Sequence, residues 1–135
     1  MAEFSLHSEL AANCVPVATW SLSELLLCND ANYPWLVLVP AQPGLRDFHD
    51  LPPDDMVSVG REISRASQAL VELFAPDKVN VAALGNVVPQ LHIHVVARFT
   101  RDLAWPSPVW GFAPPKAYAS DVLDARIADL RLAFG

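Results

Sequence analysis

The feature of this sequence that most restricts its fold is one long amphipathic segment between short apolar runs. From Asp54 to Ala75 the apolar residues recur every three or four positions, which is the spacing of one helix face. Asp54 and Asp55 favour the positive end of a helix, and Pro76 ends it. The predicted stripe consists of Met56, Val59, Ile63, Ala66, Leu70 and Phe74. The shorter runs must therefore build a layer against which this stripe packs.

Four of the shorter runs are typical of β-strands, because they are rich in aliphatic residues and too short for helices. They cover Leu22 to Cys28, Trp35 to Val39, Val79 to Leu84 and Leu91 to Phe99. The turn-forming cluster Asn29 to Asn32 predicts that the first two strands form a hairpin with a loop of about six residues. Before them, Phe4 to Ala12 fits either a short helix or an extended edge segment.

The end of the chain predicts a second helix, with Ser120 as its cap and Leu123, Ile127 and Leu130 as its apolar stripe. The order of elements is then β-β-α-β-β-α. This order predicts an α+β fold, a mainly antiparallel sheet with one long helix and a C-terminal helix, in a single domain over residues 1–135.

Composition and charge narrow the class of protein. Apolar residues make up 53% and charged residues 18%, which predicts a folded core. The formal net charge of -6 disfavours polynucleotides and anionic membranes as partners. No apolar run approaches the roughly 20 residues of a membrane span, and the N-terminus does not follow the signal-peptide pattern. Cys14 and Cys28 form no CxxC motif and are expected to be reduced thiols, so we expect a cytoplasmic protein.

The residues best suited to catalysis or metal binding are two histidines in the last predicted strand. His92 and His94 alternate with aliphatic residues, so both imidazoles leave the same face of the strand, as does Gln90. The strand is therefore expected to have an apolar core side and a polar side. The Gly85-Asn86 turn just before it can offer backbone N–H groups and an amide to an anion.

Three interpretations of the histidine pair remain open from the residues alone. In the first, the two side chains are solvated or satisfied by hydrogen bonds and have no special role. Alternatively, they are two ligands of a zinc or iron ion, with His7, His49 or a carboxylate as the third ligand. In the third interpretation, one neutral imidazole attacks an electrophile, since the ordinary pKa of histidine, about 6.5, leaves most of it neutral at pH 7.

The stretch from Leu84 to Arg98 resembles the signature of the histidine-triad (HIT) family. It reads LGNVVPQLHIHVVAR, and the family pattern is H-φ-H-φ-H-φ-φ, where φ is apolar, often preceded by L-G-N-x-V-P. The likeness extends to Leu36–Pro40, to Phe48–Leu51 with the long helix after it, and to Trp105–Gly111. It covers most of residues 22–111, and it implies a HIT-like fold.

The resemblance also implies a reaction. HIT proteins bind nucleotides, such as dinucleoside polyphosphates or nucleoside phosphoramidates, and cleave phosphoanhydride or phosphoramidate bonds at the α-phosphate. By resemblance His92 is the nucleophile that forms a nucleotidyl-histidine, and His94 contacts the phosphate oxygens. The implied mechanism requires no metal or other cofactor, and the family suggests a homodimer.

The resemblance assigns the remaining site residues to substrate binding. Asn86 falls near the polar residues that hold the phosphates. Asp30, with its neighbour Asn29, resembles the acidic or amide residue that holds the ribose hydroxyls. Trp110 either stacks on a base or packs a proline-rich loop or a dimer contact, and these alternatives remain open.

Three positions carry further expectations. Gln90 stands at the first histidine of the triad, so the resemblance assigns it to the catalytic group with His92 and His94. Trp35 stands where the family often has a histidine. An amide cannot titrate, so proton donation from position 90 is lost, while its hydrogen bonding and its backbone carbonyl remain. The alternative function is therefore a nucleotide-binding regulatory module with little or no catalysis. Arg98 is expected to lie at a solvated strand end.

Overall fold

The computed structural model describes residues 3–135 and confirms the predicted α+β class. In chain order the elements are α1 (Ser8–Asn13), β1 (Cys14–Thr19), β2 (Ser23–Cys28), β3 (Trp35–Pro40), α2 (Pro53–Phe74), β4 (Lys78–Ala82), β5 (Ile93–Arg98) and α3 (Ser120–Ala133), with a single 3-10 turn at Phe48–Asp50. The first two residues of the predicted domain over 1–135 lie outside the described residues. No helix within residues 3–135 combines the length and the apolar character that crossing a membrane requires.

The five strands form one antiparallel sheet in the order β1-β2-β3-β5-β4. β2 and β3 make the predicted hairpin, with residues 29–34 between them. α2 then crosses the sheet, so that β4 lies at the far edge and β5 returns between β3 and β4. In this position β5 pairs on both sides, since Val95 lies opposite Leu36 of β3 and opposite Val81 of β4. The strand that carries the histidine signature is therefore held by two neighbours.

α2 and α3 cover one face of the sheet, and the predicted stripe of α2 faces the core. Val59, Ala66 and Leu70 are buried against the sheet residues Leu38 and Ile93. The burial of each large aliphatic side chain stabilises the fold by roughly 1.5–3 kcal/mol. This face of the sheet is the main core of the protein.

The opposite face of the sheet is covered as well, and here the expected polar side of the histidine strand was wrong. A second apolar cluster lies on it, made of Leu10, Cys14, Leu26, Tyr33, Trp35, Val37, Val39, Val96, Ala104 and Val109. The cover consists of α1 and the loop between β5 and α3, residues 99–119. Alternation along a strand identifies its two faces, but it contains no information on what packs over each of them.

Of the two alternatives left open for Phe4 to Ala12, the structure shows the short helix, in the second half of that segment. Residues 3–7 are not helical, and α1 begins at Ser8 with His7 as its cap, since Nδ1 of His7 accepts a hydrogen bond from the Glu9 N–H at 3.1 Å. β1 follows directly and was not predicted. It lies at a sheet edge, where Pro16 is tolerated, and its register shifts between Pro16 and Ala18. These irregularities hide the strand from a periodicity argument.

The start of the last helix also differs from the expectation. Ala119 is the N-cap residue of α3 and makes no side-chain capping bond, while Ser120 is the first helical residue. The predicted cap at Ser120 was therefore wrong by one position.

Arg98 was expected at a solvated strand end, and it is buried instead, with 2% of its surface exposed. Its Nε donates to Oδ2 of Asp102 at 2.8 Å, and its two terminal nitrogens donate to the Asn80 side chain and to the carbonyl of Ser107, each at 2.8 Å. Asp102 is buried beside it. Arg98 thus ties the loop that covers the second face of the sheet to β5.

Replacing Arg98 with methionine should destabilise the protein, because it leaves the buried Asp102 carboxylate without its cation. We expect the free energy of unfolding to fall by about 3–5 kcal/mol, as for other buried pairs that lose one partner. Urea unfolding followed by circular dichroism measures this change. Arg101→Met, at an exposed position, is the matched control and should shift stability by less than about 0.5 kcal/mol. Equal stability of the two variants would contradict the role of Arg98.

Candidate functional site

The two histidines lie at the start of β5 and share one cavity. β5 begins at Ile93, so His94 is on the strand, whereas His92 and Gln90 precede it; the predicted strand began two residues too early. His92 and His94 are 6% and 9% exposed, and their ring centroids are 4.8 Å apart. Both line a cavity of about 280 Å³ that is closed on the other side by residues 84–88. The imidazoles are thus withdrawn from bulk water but border an open space.

The backbone determines which nitrogen of His92 carries the proton. Its Nδ1 lies 2.7 Å from the carbonyl oxygen of Gln90. A carbonyl can only accept, so Nδ1–H donates to it, and in the neutral ring Nε2 keeps its lone pair. This tautomer is the one that can attack an electrophile through Nε2.

A side chain determines the opposite tautomer for His94. The indole N–H of Trp35 donates to Nδ1 of His94 at 3.0 Å. An indole has no acceptor, so the neutral His94 ring carries its proton on Nε2. Burial, together with the nearby His92, lowers the pKa of His94 to about 4, so the ring is uncharged near pH 7. His94 can therefore donate a hydrogen bond from Nε2 beside the free lone pair of His92.

Gln90, predicted to be catalytic, uses its side chain for another purpose. Its Oε1 accepts from the His7 N–H at 2.8 Å, and its Nε2 donates to the carbonyl of Ser5 at 2.9 Å. The amide thus anchors the segment before α1. Gln90 contacts the pair of His92 and His94 through its backbone carbonyl, which accepts the hydrogen bond from Nδ1–H of His92. A direct role of the side chain in catalysis stays a prediction.

Asn86, predicted to hold phosphate, lies on the loop that faces the histidines. It lines the same cavity as His92 and His94, and its side chain is exposed. The preceding Gly85 has a φ of +74°, a backbone conformation that side chains other than glycine rarely adopt. The turn therefore needs this glycine to bring the Asn86 amide to the cavity.

The other predicted binding residues meet in a second, larger cavity of about 500 Å³. Asn29, Asp30 and Trp110 all line it, together with Trp35. Asp30 accepts the backbone N–H groups of Asn32 and Lys116 at 3.0 and 3.2 Å, both on Oδ1. The rings of Trp35 and Trp110 separate this cavity from His94, with centroids 5.6 and 5.5 Å from the imidazole. The two cavities are therefore neighbours across one aromatic wall.

Several features of this site had no signal in the sequence pattern. The contact between Trp35 and His94 joins residues 59 positions apart, so no local spacing indicates it. The same holds for Ala12 and Asn13 at the end of α1, which form part of the wall of the larger cavity. The loop position of Trp110 was identified, but not its packing on His94.

His7 and His49, the predicted candidates for a third metal ligand, do not lie in one cluster with His92 and His94. His7 caps α1, and His49 is exposed beside Asp50 at 3.6 Å. Within residues 3–135, the only group of three or more side chains arranged like metal ligands is Asp47, His49 and Asp50, which is exposed and excludes His92 and His94. Along that part of the chain the histidine pair has no third His, Cys, Asp or Glu close enough to complete a metal site.

Replacing Trp35 with phenylalanine should raise the pKa of His94. The variant keeps an aromatic ring but loses the indole N–H that donates to Nδ1 of His94, and that bond favours the neutral ring. We expect a rise of about one pKa unit from the value of about 4, since a hydrogen bond contributes about 0.5–1.5 kcal/mol. The Nε2–H tautomer of His94 should also lose its dominance. Ring ¹⁵N NMR over a pH titration measures both quantities.

The pH dependence of protein stability should show the same rise in the pKa of His94. In the unfolded chain His94 binds a proton below about pH 6.5, whereas in the folded protein it does so only near pH 4. The contribution of His94 to the free energy of unfolding therefore falls as the pH decreases from about 6.5 to about 4, by about 1.4 kcal/mol per pH unit. Because Trp35→Phe should raise the folded-state pKa, it should narrow this pH range. Trp110→Phe, which changes packing on His94 without removing a hydrogen bond, is the control; identical pKa shifts in both variants would refute the role of the indole N–H.

The comparisons with known proteins agree with this geometry. A family model described as the HIT domain matches residues 11–101, about two thirds of the chain. No protein with a curated description matches the sequence.

Three solved structures are similar over nearly the whole chain. A histidine triad protein from Bradyrhizobium japonicum is 44% identical, with a TM-score of 0.96 over 99% of this chain and 100% of its own. One from Marinobacter aquaeolei is 41% identical, with a TM-score of 0.96 and coverages of 98% and 97%. One from Sinorhizobium meliloti is 33% identical, with a TM-score of 0.94 and coverages of 96% and 96%.

Proposed function

Because the chain belongs to the HIT family, whose members are generally nucleotide hydrolases or transferases, we propose that it cleaves nucleotides at the α-phosphate. The proposed substrates are dinucleoside polyphosphates such as diadenosine tetraphosphate, or nucleoside phosphoramidates. The observation that carries the proposal is the hydrogen bond from Nδ1 of His92 to the Gln90 carbonyl, which leaves the Nε2 lone pair free in a residue that borders a cavity.

The proposed reaction proceeds through a covalent intermediate on His92. Nε2 attacks the α-phosphorus, the bond to the leaving group breaks, and that group takes the electron pair. The Gln90 carbonyl stabilises the positive charge that develops on the ring, because Nδ1–H already donates to it. Neutral His94 donates a hydrogen bond from Nε2 to a phosphate oxygen. Water then attacks the phosphorus of the nucleotidyl-histidine, which releases a nucleoside monophosphate and a proton and restores His92.

The larger cavity is the proposed site of the nucleoside. Its volume of about 500 Å³ lies within the usual range for small-ligand sites, about 300–1,000 Å³. Both hydrogen bonds that Asp30 accepts within the described chain end on Oδ1, which leaves Oδ2 for the ribose hydroxyls. Asn29 beside it and the ring of Trp110 would contact the sugar and the base, while Asn86 would hold phosphate in the smaller cavity.

Replacing His92 with alanine should abolish turnover while leaving the fold intact. The loss of a nucleophile is expected to reduce kcat/KM for diadenosine tetraphosphate by about 10³-fold or more. Mass spectrometry of acid-quenched turnover should find the added nucleotidyl mass on His92 in the wild-type protein. His49→Ala, at an exposed position outside both cavities, is the matched control and should keep full activity. Turnover in the wild type with no adduct, and with equal rates in both variants, would exclude this mechanism.

The leaving group should matter, because position 90 supplies no titratable acid. A phosphate leaving group departs as an anion near pH 7, whereas an amine must gain a proton. General acid catalysis contributes about 10²–10⁴-fold, so we expect simple alkyl phosphoramidates of AMP to react at least about 10²-fold more slowly than diadenosine tetraphosphate. Their rate should rise as the pH falls, since solvent then supplies the proton. Equal kcat/KM for both substrates at pH 7 would mean that another residue donates the proton.

A second candidate function is nucleotide binding without efficient turnover. The observation that favours it is that the Gln90 amide binds the backbone of Ser5 and His7 and makes no hydrogen bond to His92 or His94 within the described residues. Calorimetry with AMP and turnover assays with both substrate classes discriminate between the two functions. Micromolar AMP binding together with no turnover of either class would select the binding module.

We also propose that the protein is a homodimer, as the resemblance implies. β4 lies at one edge of the sheet, and Val81 on it is exposed, so this edge can pair with a second copy of the chain. Light scattering should give twice the mass of one chain, and Val81→Lys should reduce it by placing a charge at the edge. A single-chain mass for the wild type at high protein concentration would contradict the dimer.

A further inference from the structure

Two cysteines lie opposite each other on β1 and β2. Cys14 is the register partner of Cys28, and the Asn29 N–H donates to the Asn13 carbonyl at 2.9 Å just outside the pair. This bonding pattern marks a non-hydrogen-bonded pair of an antiparallel ladder, in which the Cα atoms are about 4.5 Å apart and the side chains are closest. Disulfides span Cα distances of about 4.4–6.8 Å. The backbone therefore already places the two cysteines within disulfide reach.

The two thiols also interact with each other. The hydrogen bond from the Cys28 thiol lowers the pKa of Cys14, against the opposing effect of burial. The same contact, together with burial, raises the pKa of Cys28. The two sulfurs therefore lie in contact, and one of them can hold the proton while the other ionises. A thiolate next to a second thiol is the arrangement that favours disulfide formation.

The pair borders the larger cavity. Cys28 is partly exposed and lines that cavity, as do Ala12 and Asn13 just before Cys14. Cys14 itself is buried. A small oxidant that enters the cavity can therefore reach the pair without unfolding of the sheet.

A metal site is the other chemistry that two adjacent thiols suggest. Thiolate sites for zinc use three or four protein ligands. In the described part of the chain, no group of three potential ligands includes either Cys14 or Cys28. Oxidation of the pair needs no further ligand, so the geometry favours it.

We propose that Cys14 and Cys28 are a disulfide-forming pair, oxidised by hydrogen peroxide in the wall of the larger cavity. The thiolate of one cysteine attacks one peroxide oxygen, the O–O bond breaks, hydroxide leaves, and that cysteine becomes a sulfenic acid. The sulfur of the other cysteine then attacks the sulfenic acid sulfur and displaces a second hydroxide as the S–S bond forms. Two thiol protons and two hydroxides give two water molecules, so the peroxide gains the two electrons that the thiols lose. In a reducing cytoplasm the bond would be transient and reversed by cellular thiols.

Intact-mass spectrometry tests the proposal on the full chain. The reduced protein is treated with hydrogen peroxide, denatured and alkylated with N-ethylmaleimide. We expect a loss of about 2 Da with no maleimide added, and reversal by dithiothreitol. Two maleimides per chain, oxygen added to a thiol without the mass loss, or chains linked to each other would each overturn the proposal. The wild-type result decides it, whether or not the variants below fold.

Cys14→Ser and Cys28→Ser are the matched variants, since serine is close in shape to cysteine. Neither can close the bond within one chain. In each variant the remaining cysteine should accumulate a sulfenic acid that dimedone traps. No dimedone adduct in either variant would contradict the sulfenic acid step.

A further measurement rests on the proposed function. If AMP occupies the larger cavity, it should shield the pair, and oxidation should slow about tenfold at an AMP concentration nine times its Kd, because only the free form reacts. Disulfide formation at an unchanged rate with AMP bound would contradict the placement of the nucleoside in this cavity, and it would leave the cysteine pair supported. The two proposals can therefore fail separately.

Discussion

The hydrogen bond from the Trp35 indole to Nδ1 of His94 is the interaction on which the site depends. An indole N–H can only donate, so the neutral His94 ring must carry its proton on Nε2. The Gln90 carbonyl imposes the opposite arrangement on His92, whose Nδ1 must donate. Two adjacent rings of the same chemistry thus have different roles before any ligand arrives, one with a free lone pair and one with a free N–H. For the proposed reaction, this arrangement would be preorganisation of the kind that lowers the cost of reaching a transition state.

That division of roles depends in turn on the cover over the sheet. Burial, together with a second imidazole whose centroid is 4.8 Å away, lowers the pKa of His94 to about 4. The cover comes from α1 and from the loop over residues 99–119, which the buried pair of Arg98 and Asp102 holds to β5. An ion pair outside both cavities therefore supports the proton distribution of the histidines.

Local periodicity was sufficient to predict α2, the hairpin of β2 and β3, and the histidine strand, because each of these patterns repeats within one element. The contacts that define the site join distant residues instead. Trp35 and His94 are 59 positions apart, and Gln90 and Ser5 are 85 apart. The burial of Arg98 depends on Asn80 and on the covering loop in the same way. The residue pattern placed the two histidines close behind the Gly85-Asn86 turn, but one sequence contains no signal for their hydrogen-bond partners.

The resemblance aligns Gln90 with a histidine, but its side chain binds the N-terminal segment through two hydrogen bonds. A planar amide presents an acceptor and a donor side by side, and here they bind the N–H of His7 and the carbonyl of Ser5. The two nitrogens of an imidazole point in divergent directions, so a histidine could not make both bonds to one short backbone segment. The backbone carbonyl, which no substitution removes, keeps its bond to His92. Position 90 can therefore lack a titratable group, anchor the chain before α1, and still determine the tautomer of His92.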